Sequence, residues 1–252
     1  MEKSALIVAG GVGKRLNSNT PKQFLILGDK PILMHTLSKF SHLDKIYLVL
    51  PRKYFNDWRE LCEKYNFDLK HVLVEGGDNR FCSVKNGLNA INSTDIILIH
   101  DGARPFVKKE LITTLINKVS SGFGIIPTIT ATDSIRIKEG DFSRIVNRDT
   151  IYHVQTPQCF IFNEIFNSYN IDYNSSFTDD ASVFEAKKGK IKHVIGNKKG
   201  IFIASRNFES LSKTINEIKE NYQSIQEEMK QNNLPKHKEF IGQMEDIVSK
   251  VN

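Results

Sequence analysis

Cysteine is scarce in this chain. Three occur in 252 residues, Cys62, Cys82 and Cys159, and they are far apart and odd in number. Three scattered thiols build no disulfide framework, and without a CxxC pair they suggest no zinc site, so a reducing cytoplasm is the expected setting. Long hydrophobic runs are missing too. Nothing approaches the length of a membrane span, and the apolar stretch Ala5–Ala9 is too short for the core of a secretory signal. No internal repeat or low-complexity segment marks an array or a disordered tail. The charge is not balanced: 35 Lys and Arg against 29 Asp and Glu leave +6. A basic surplus suits an anionic partner. The basic residues are dispersed and lack aromatic interleaving or a reader motif, so nucleic acid is not expected, nor is a membrane.

What is present is an alternation of short apolar, β-rich runs with helix-like stretches. Strands are expected at Ala5–Val8, Ile46–Leu50, His71–Glu75, Asp95–His100 and Ile125–Ile129. Helices are expected at Pro31–Phe40, Tyr54–Tyr65, Ser83–Ile91 and Lys109–Ser120. That order predicts an α/β fold, a Rossmann-like, mostly parallel sheet with helices on both faces. The rhythm changes over Thr132–His153, which alternates polar and apolar residues around Glu139-Gly140-Asp141 and reads as a protruding β-hairpin arm. A helix over Thr178–Ala186 has an acidic start, favourable at a helix N-terminus. Strands at Ile191–Ile195 and Gly200–Ala204 follow. Leu211, Ile215, Ile218, Tyr222, Ile225 and Met229 then form a heptad-like stripe. The expected division is a domain over 1–205, with its arm at about 132–153, and a C-terminal helical tail over 206–252.

Chemistry concentrates where the first strand ends. Ala9-Gly10-Gly11-Val12-Gly13-Lys14-Arg15 is followed by Pro21-Lys22-Gln23-Phe24. Glycines there let backbone N–H groups approach a ligand, and Arg15 and Lys22 add two cations, a sensible place for a triphosphate. It is not a Walker loop, because Gly13-Lys14 is followed by Arg15 and the earlier glycine is missing. It is not a dinucleotide fingerprint either, because Leu16 stands where a third glycine or alanine belongs.

Four more blocks follow in order: Gly76-Gly77-Asp78-Asn79-Arg80 with Ser83-Val84; His100-Asp101-Gly102-Ala103-Arg104-Pro105-Phe106; Val154-Gln155-Thr156-Pro157-Gln158; and Phe177-Thr178-Asp179-Asp180-Ala181-Ser182. Together with the first loop they resemble the sugar-phosphate nucleotidyltransferases. The likeness is strongest to their cytidylyltransferase branch, typified by the 2-C-methyl-D-erythritol 4-phosphate cytidylyltransferases, and covers about residues 3–205. The resemblance implies transfer of CMP from CTP to 2-C-methyl-D-erythritol 4-phosphate with release of pyrophosphate, in isoprenoid precursor synthesis. A cytidylyltransferase for ribitol 5-phosphate or another polyol phosphate, serving cell-envelope polymers, is the alternative.

The same resemblance implies roles. Ala9, Gly10, Gly11 and Gly13 line the triphosphate, and Arg15 and Lys22 stabilise charge at the reacting phosphate, as nucleotidyl transfer requires. Gly77, Asp78 and Ser83 read the cytosine. Asp101, at a strand end where parallel sheets place ligands, holds Mg2+ or another divalent cation. Ser134, Arg148 and Thr156 contact the acceptor, Arg148 from the arm of a second subunit in a homodimer. Arg104 assists the site or braces its loop, and His100 is read as a packed neighbour. One departure stands out. The family's usual Asn-Ile-Lys-Val/Ile-Thr is here Gly200-Ile201-Phe202-Ile203-Ala204, so a cation and a hydroxyl are lost: either Lys198 or Lys199 supplies the charge, or the acceptor differs, or activity is weakened.

Overall fold

A computed structural model describes residues 1–10 and 21–195. Gly11, Gly13 and Arg15 lie outside the described residues, as do Lys198, Lys199, the strand expected at Gly200–Ala204 with Phe202, and the tail expected over 206–252.

The chain runs β1 (Lys3–Val8), β2 (Ile26–Leu27), β3 (Lys30–Pro31), α1 (Ile32–Ser38), β4 (Lys45–Leu50), α2 (Phe55–Lys64), β5 (Val72–Glu75) and α3 (Arg80–Asn89). It continues β6 (Ile96–Asp101), α4 (Lys109–Lys118), β7 (Phe123–Thr130), β8 (Ile135–Glu139), β9 (Phe142–Val146) and β10 (Tyr152–Val154). The last described elements are β11 (Gln158–Ile161), α5 (Phe162–Ser168), α6 (Asp180–Ala186) and β12 (Lys190–Ile195). An eight-stranded sheet is ordered β10-β7-β11-β6-β1-β4-β5, with β12 also paired to β7. β1 pairs in parallel with β4 and β6, and β4 with β5. The expected α/β architecture is present.

Side-chain alternation on the central strands builds the two layers. Ala5, Ile7, Leu48, Leu50 and Leu98 face one side and pack against Leu33 and Leu37 of α1, Trp58 of α2, and Ile112 and Leu115 of α4. Leu6, Val49, Ile97 and Ile99 face the other and meet Val84 and Leu88 of α3, Ile165 of α5 and Phe184 of α6. These strands are apolar on both faces because both are covered, the mark of a central parallel sheet. Burying each such aliphatic side chain stabilises the fold by ~1.5–3 kcal/mol.

Three boundaries differ from expectation. α3 starts at Arg80, three residues earlier than Ser83, because the Asn79 side chain caps it by accepting from Cys82 N at 2.8 Å. The cap of α6 is Asp179, not Thr178: it exchanges a capping box with Ser182. The arm is narrower than 132–153. Among the described residues β8 and β9 pair only with each other, turning at Gly140 with φ +60°, whereas β10 returns to the main sheet against β7. β11, antiparallel between β6 and β7, and α5 were not anticipated. A four-residue strand offers too short a run to display a period.

Candidate active site

Parallel strands deliver their carboxyl ends to one edge of the sheet, and the sequence blocks meet there. β1 ends at Val8 and opens into Ala9-Gly10; β5 ends at Glu75 and opens into Gly76-Gly77-Asp78; β6 ends at Asp101. Val8 lies beside Asp101 in register, and Gly102 N donates to Val8 O at 2.9 Å. An added Cβ at Gly102 would stand 2.7 Å from the Ala9 Cβ, so only glycine lets the two turns come this close.

Ser83 sits where the first two turns adjoin. It is buried, and a Cβ at Gly10 or Gly76 would lie 3.5 or 3.2 Å from its Oγ. Gly77 N donates to that Oγ at 3.1 Å, and the hydroxyl reaches Gly77 O at 3.3 Å. Ser83 therefore fixes the Gly77–Asp78 turn from below, while Gly77 and Asp78 stay exposed. An added Cβ at Gly77 would overlap Cys82, which holds that turn against the first turn of α3.

Lys22 begins a short 3-10 turn, Lys22–Phe24, and is exposed. Its neighbour Gln23 is buried and donates from Nε2 to Ala9 O at 2.7 Å. That bond ties the segment carrying Lys22 to the end of β1. Phe24 stacks on Trp58, with ring centroids 6.1 Å apart, and anchors the same segment in the core.

Around Asp101 the polar groups form a closed circuit. Asp101 N donates to Thr156 Oγ1 at 3.3 Å, and that hydroxyl meets His100 Nδ1 at 2.9 Å. His100 Nε2 lies 3.0 Å from Arg104 O, a carbonyl that only accepts, so the ring carries its proton on Nε2 and Nδ1 receives the threonine hydroxyl. Burial lowers the His100 pKa to about 4, which keeps the ring neutral. It packs on Phe40, centroids 5.0 Å apart, as a structural neighbour rather than an acid or base. Thr156, expected at the acceptor, also braces the Asp101 backbone.

The Asp101 carboxylate lies between two guanidinium groups. Arg104 Nε is 2.9 Å from Oδ2 and Arg80 Nε 3.6 Å from Oδ1. Burial by itself would raise the Asp101 pKa, but Arg80 and Arg104 outweigh it and hold the carboxyl below its usual range. Arg104 also donates to Gln155 Oε1 at 2.6 Å. Arg80 forms a bidentate pair with Asp180, at 2.9 and 2.7 Å, and Tyr169 donates its hydroxyl to Asp180 Oδ1 at 2.7 Å. Asp180 is fully buried, so the second aspartate at the start of α6 is an anchor and not only a helix-end charge. Sequence assigns no role to Arg80 and gives Asp180 only that of a helix-end charge. Both stand inside the quoted blocks, but a pair separated by 100 positions leaves no local pattern.

Among the described residues no group of three His, Cys, Asp or Glu is placed to hold a metal ion. Asp101, which the resemblance assigns to a divalent cation, has both carboxylate oxygens facing a guanidinium group, Arg104 at 2.9 Å and Arg80 at 3.6 Å, and a cation there would have to compete with them. Ser134 and Arg148 stand apart, at the base of the arm. Both are exposed, and Arg148 donates to Thr132 O at 2.8 Å. No described helix is long and apolar enough to cross a membrane.

Comparison with known proteins covers nearly all of this region. The family model for IspD, 2-C-methyl-D-erythritol 4-phosphate cytidylyltransferase, matches residues 4–211. The protein of that name from Bacteroides fragilis is 43% identical over 208 residues, which is 81% of this chain and 95% of that protein. Its namesake from Porphyromonas gingivalis is 39% identical over 216 residues, 85% of this chain and 97% of that protein. Among solved structures, the 4-diphosphocytidyl-2C-methyl-D-erythritol synthase of Anaerococcus prevotii superposes with a TM-score of 0.66 at 28% identity, over 84% of this chain and 93% of its own. The Francisella tularensis cytidylyltransferase gives 0.64 at 29% identity, over 85% and 98%.

Proposed function

The chain belongs to the 2-C-methyl-D-erythritol 4-phosphate cytidylyltransferase family, and from that premise we infer that it transfers CMP from CTP to 2-C-methyl-D-erythritol 4-phosphate and releases pyrophosphate. The observation that carries the reading is the meeting of three blocks at the carboxyl ends of β1, β5 and β6, with Ser83 wedged between the turns that follow β1 and β5. The ribitol 5-phosphate alternative rested on Phe202 and the tail, and no described residue favours it.

In this reading the acceptor's phosphate oxygen attacks the α-phosphorus of CTP, a new P–O bond forms, and the bond to pyrophosphate breaks. Ala9 and Gly10, with Gly11 and Gly13, cradle the triphosphate. Lys22, held in place by Gln23, and Arg15 stabilise the charge that develops at the α-phosphate. The Gly77–Asp78 turn, set from below by Ser83, reads the cytosine. Asp101 is the residue that would hold a divalent cation, whose chemistry would be to neutralise phosphate charge. The two shifted cysteines supply no competing nucleophile: burial raises the Cys62 pKa to about 11 and that of Cys159 further. The acceptor lies toward the arm, where Ser134 and Arg148 serve it, with Thr156 in support.

Assembly as a homodimer accords with the arm. β8 and β9 pair with no other described strand, and they expose Phe142 by 84% and Ile145 by 72%. Apolar side chains on a projecting hairpin gain from a partner that covers them. A cytoplasmic location accords with three free cysteines.

The direct test measures pyrophosphate release by the purified chain, with 2-C-methyl-D-erythritol 4-phosphate and each of the four nucleoside triphosphates in turn. Turnover with CTP well above the others is expected. Equal turnover with all four, or none with CTP, overturns the assignment.

A further inference from the structure

Past Gly76, the Gly77–Asp78 turn is tied to the start of α3. Gly77 N donates to Ser83 Oγ at 3.1 Å, and the Asn79 side chain accepts from Cys82 N at 2.8 Å. Gly77 also lies against Cys82, where an added Cβ would stand 2.4 Å from the Cys82 Cβ. The start of α3 is held in turn by a distant segment. Arg80 makes its bidentate pair with buried Asp180, at 2.9 and 2.7 Å. Phe81, the next residue, is buried and stacks on Tyr169, ring centroids 4.8 Å apart, and on Phe177, centroids 5.8 Å apart with planes at 18°. The Tyr169 hydroxyl donates to Asp180 Oδ1 at 2.7 Å and closes the arrangement. Tyr169, Phe177 and Asp180 all belong to the stretch that leads from α5 into α6. Two consecutive residues of α3 therefore grip one remote segment, the first by charge and the second by stacking.

We propose that this segment is a clamp that sets the position of the cytosine-reading turn, with Tyr169 and Phe177 as positioning residues for CTP that act through α3. The inference rests on the reading of Gly77, Asp78 and Ser83 as the base site. A bidentate ion pair fixes one point of a helix start, and stacked rings at the next residue keep that start from pivoting about it. Phe81 and Ser83 share the first turn of α3, so a shift of one carries the other. Packed interiors transmit such shifts because they hold little free space. Hydrogen bonding to a base edge needs close placement, and an error of about 1 Å can cost ~10²-fold. The triphosphate is assigned to the turn after β1 and to Lys22, which are anchored through Gly102, Gln23 and Phe24 instead. Loosening the clamp therefore weakens the hold on the base and spares the hold on the phosphates. Binding lost equally from ground and transition states leaves kcat unchanged.

Isothermal titration calorimetry on the full-length chain reads affinity for CTP and for inorganic triphosphate, which lacks the base. Pyrophosphate release reads kcat at saturating CTP, and thermal unfolding confirms that each variant is folded at the assay temperature. The double variant Tyr169→Phe with Phe177→Leu should bind CTP at least about fivefold more weakly than wild type, with triphosphate affinity and kcat within about twofold. Should the double variant not fold, each single variant carries the test with the same pattern and a loss of at least about twofold. Ser83→Ala should itself weaken CTP binding, and adding the pair to it should weaken binding less than about twofold further, since the turn is then already untied from α3. The proposal is overturned if the clamp variants bind CTP as wild type does, if triphosphate affinity or kcat falls as far as CTP affinity, or if the losses multiply in the Ser83→Ala background. A different result strikes the premise: Ser83→Ala binding CTP as wild type does removes the turn as the base site and the inference with it.

Discussion

Replacing Asp180 by asparagine tests whether the Arg80 pair is a keystone of the site. The carboxylate is fully buried and receives three donors: two from Arg80, at 2.9 and 2.7 Å, and the Tyr169 hydroxyl at 2.7 Å. Asparagine keeps the shape but turns one acceptor into a donor aimed at a guanidinium. Removing one partner of a buried ion pair costs about 3–5 kcal/mol, because the other charge is left uncompensated. The Arg80 side chain is 32% exposed and retains Asp101 at 3.6 Å, so the lower end applies, ~3 kcal/mol. For a chain of this size that lowers Tm by roughly 6–12 °C. Tyr169→Phe removes a single hydrogen bond to a charged group and should cost about 1.5–3 kcal/mol. Thermal and urea unfolding of wild type, Asp180→Asn, Arg80→Met and the double variant closes a cycle whose coupling should be about 2 kcal/mol or more. An Asp180→Asn protein that melts within 2 °C of wild type (roughly 1 kcal/mol or less) refutes the reasoning, as does a coupling indistinguishable from zero.

Three further outcomes follow from the geometry. Lys22→Ala should lower kcat by roughly 10²–10³ while leaving Tm near that of wild type, since Lys22 is exposed and only its neighbour Gln23 is buried; near-normal turnover removes Lys22 from the chemistry. Phe142→Asp with Ile145→Asp should convert a dimer to a monomer in sedimentation, and mixing Arg15→Ala with Arg148→Ala protein should restore activity through shared sites; a wild type that is monomeric and active rules out both. Stability should fall as pH drops below about 6.5. Burial holds His71 and His100 below that value in the folded state, so the unfolded chain binds more protons there, and each ring's contribution is present above pH 6.5 and lost as pH falls through its folded pKa. For His100, taken from 6.5 to about 4, the loss is on the order of 3 kcal/mol. His71 accepts from Trp58 Nε1 at 2.9 Å, so Trp58 fluorescence should report the transition, and His71→Gln should flatten the pH dependence.

The sequence by itself determined the layers and the edge at which chemistry occurs. Runs such as Leu6-Ile7-Val8 and Ile96-Ile97-Leu98-Ile99 are apolar at every position because both faces of a parallel strand are covered, and that is visible without coordinates. The ordered blocks placed Asp101 at a strand end and Ser83 beside the Gly-Gly-Asp turn, and both stand there. Short or composite elements were not legible. β11 is four residues long, and its place between β6 and β7 depends on partners outside its own segment. Only the tertiary structure decided what the polar groups do to one another. Thr156 holds the Asp101 backbone in addition to the acceptor role expected of it, and Asp180, expected as a helix-end charge, also clamps Arg80 from 100 positions away. Hydrophobic periodicity is a property of consecutive residues, set by the repeat of the backbone. The partner of a buried charge is chosen by folding, which brings distant segments within a few ångströms and forces each desolvated carboxylate to find its cation.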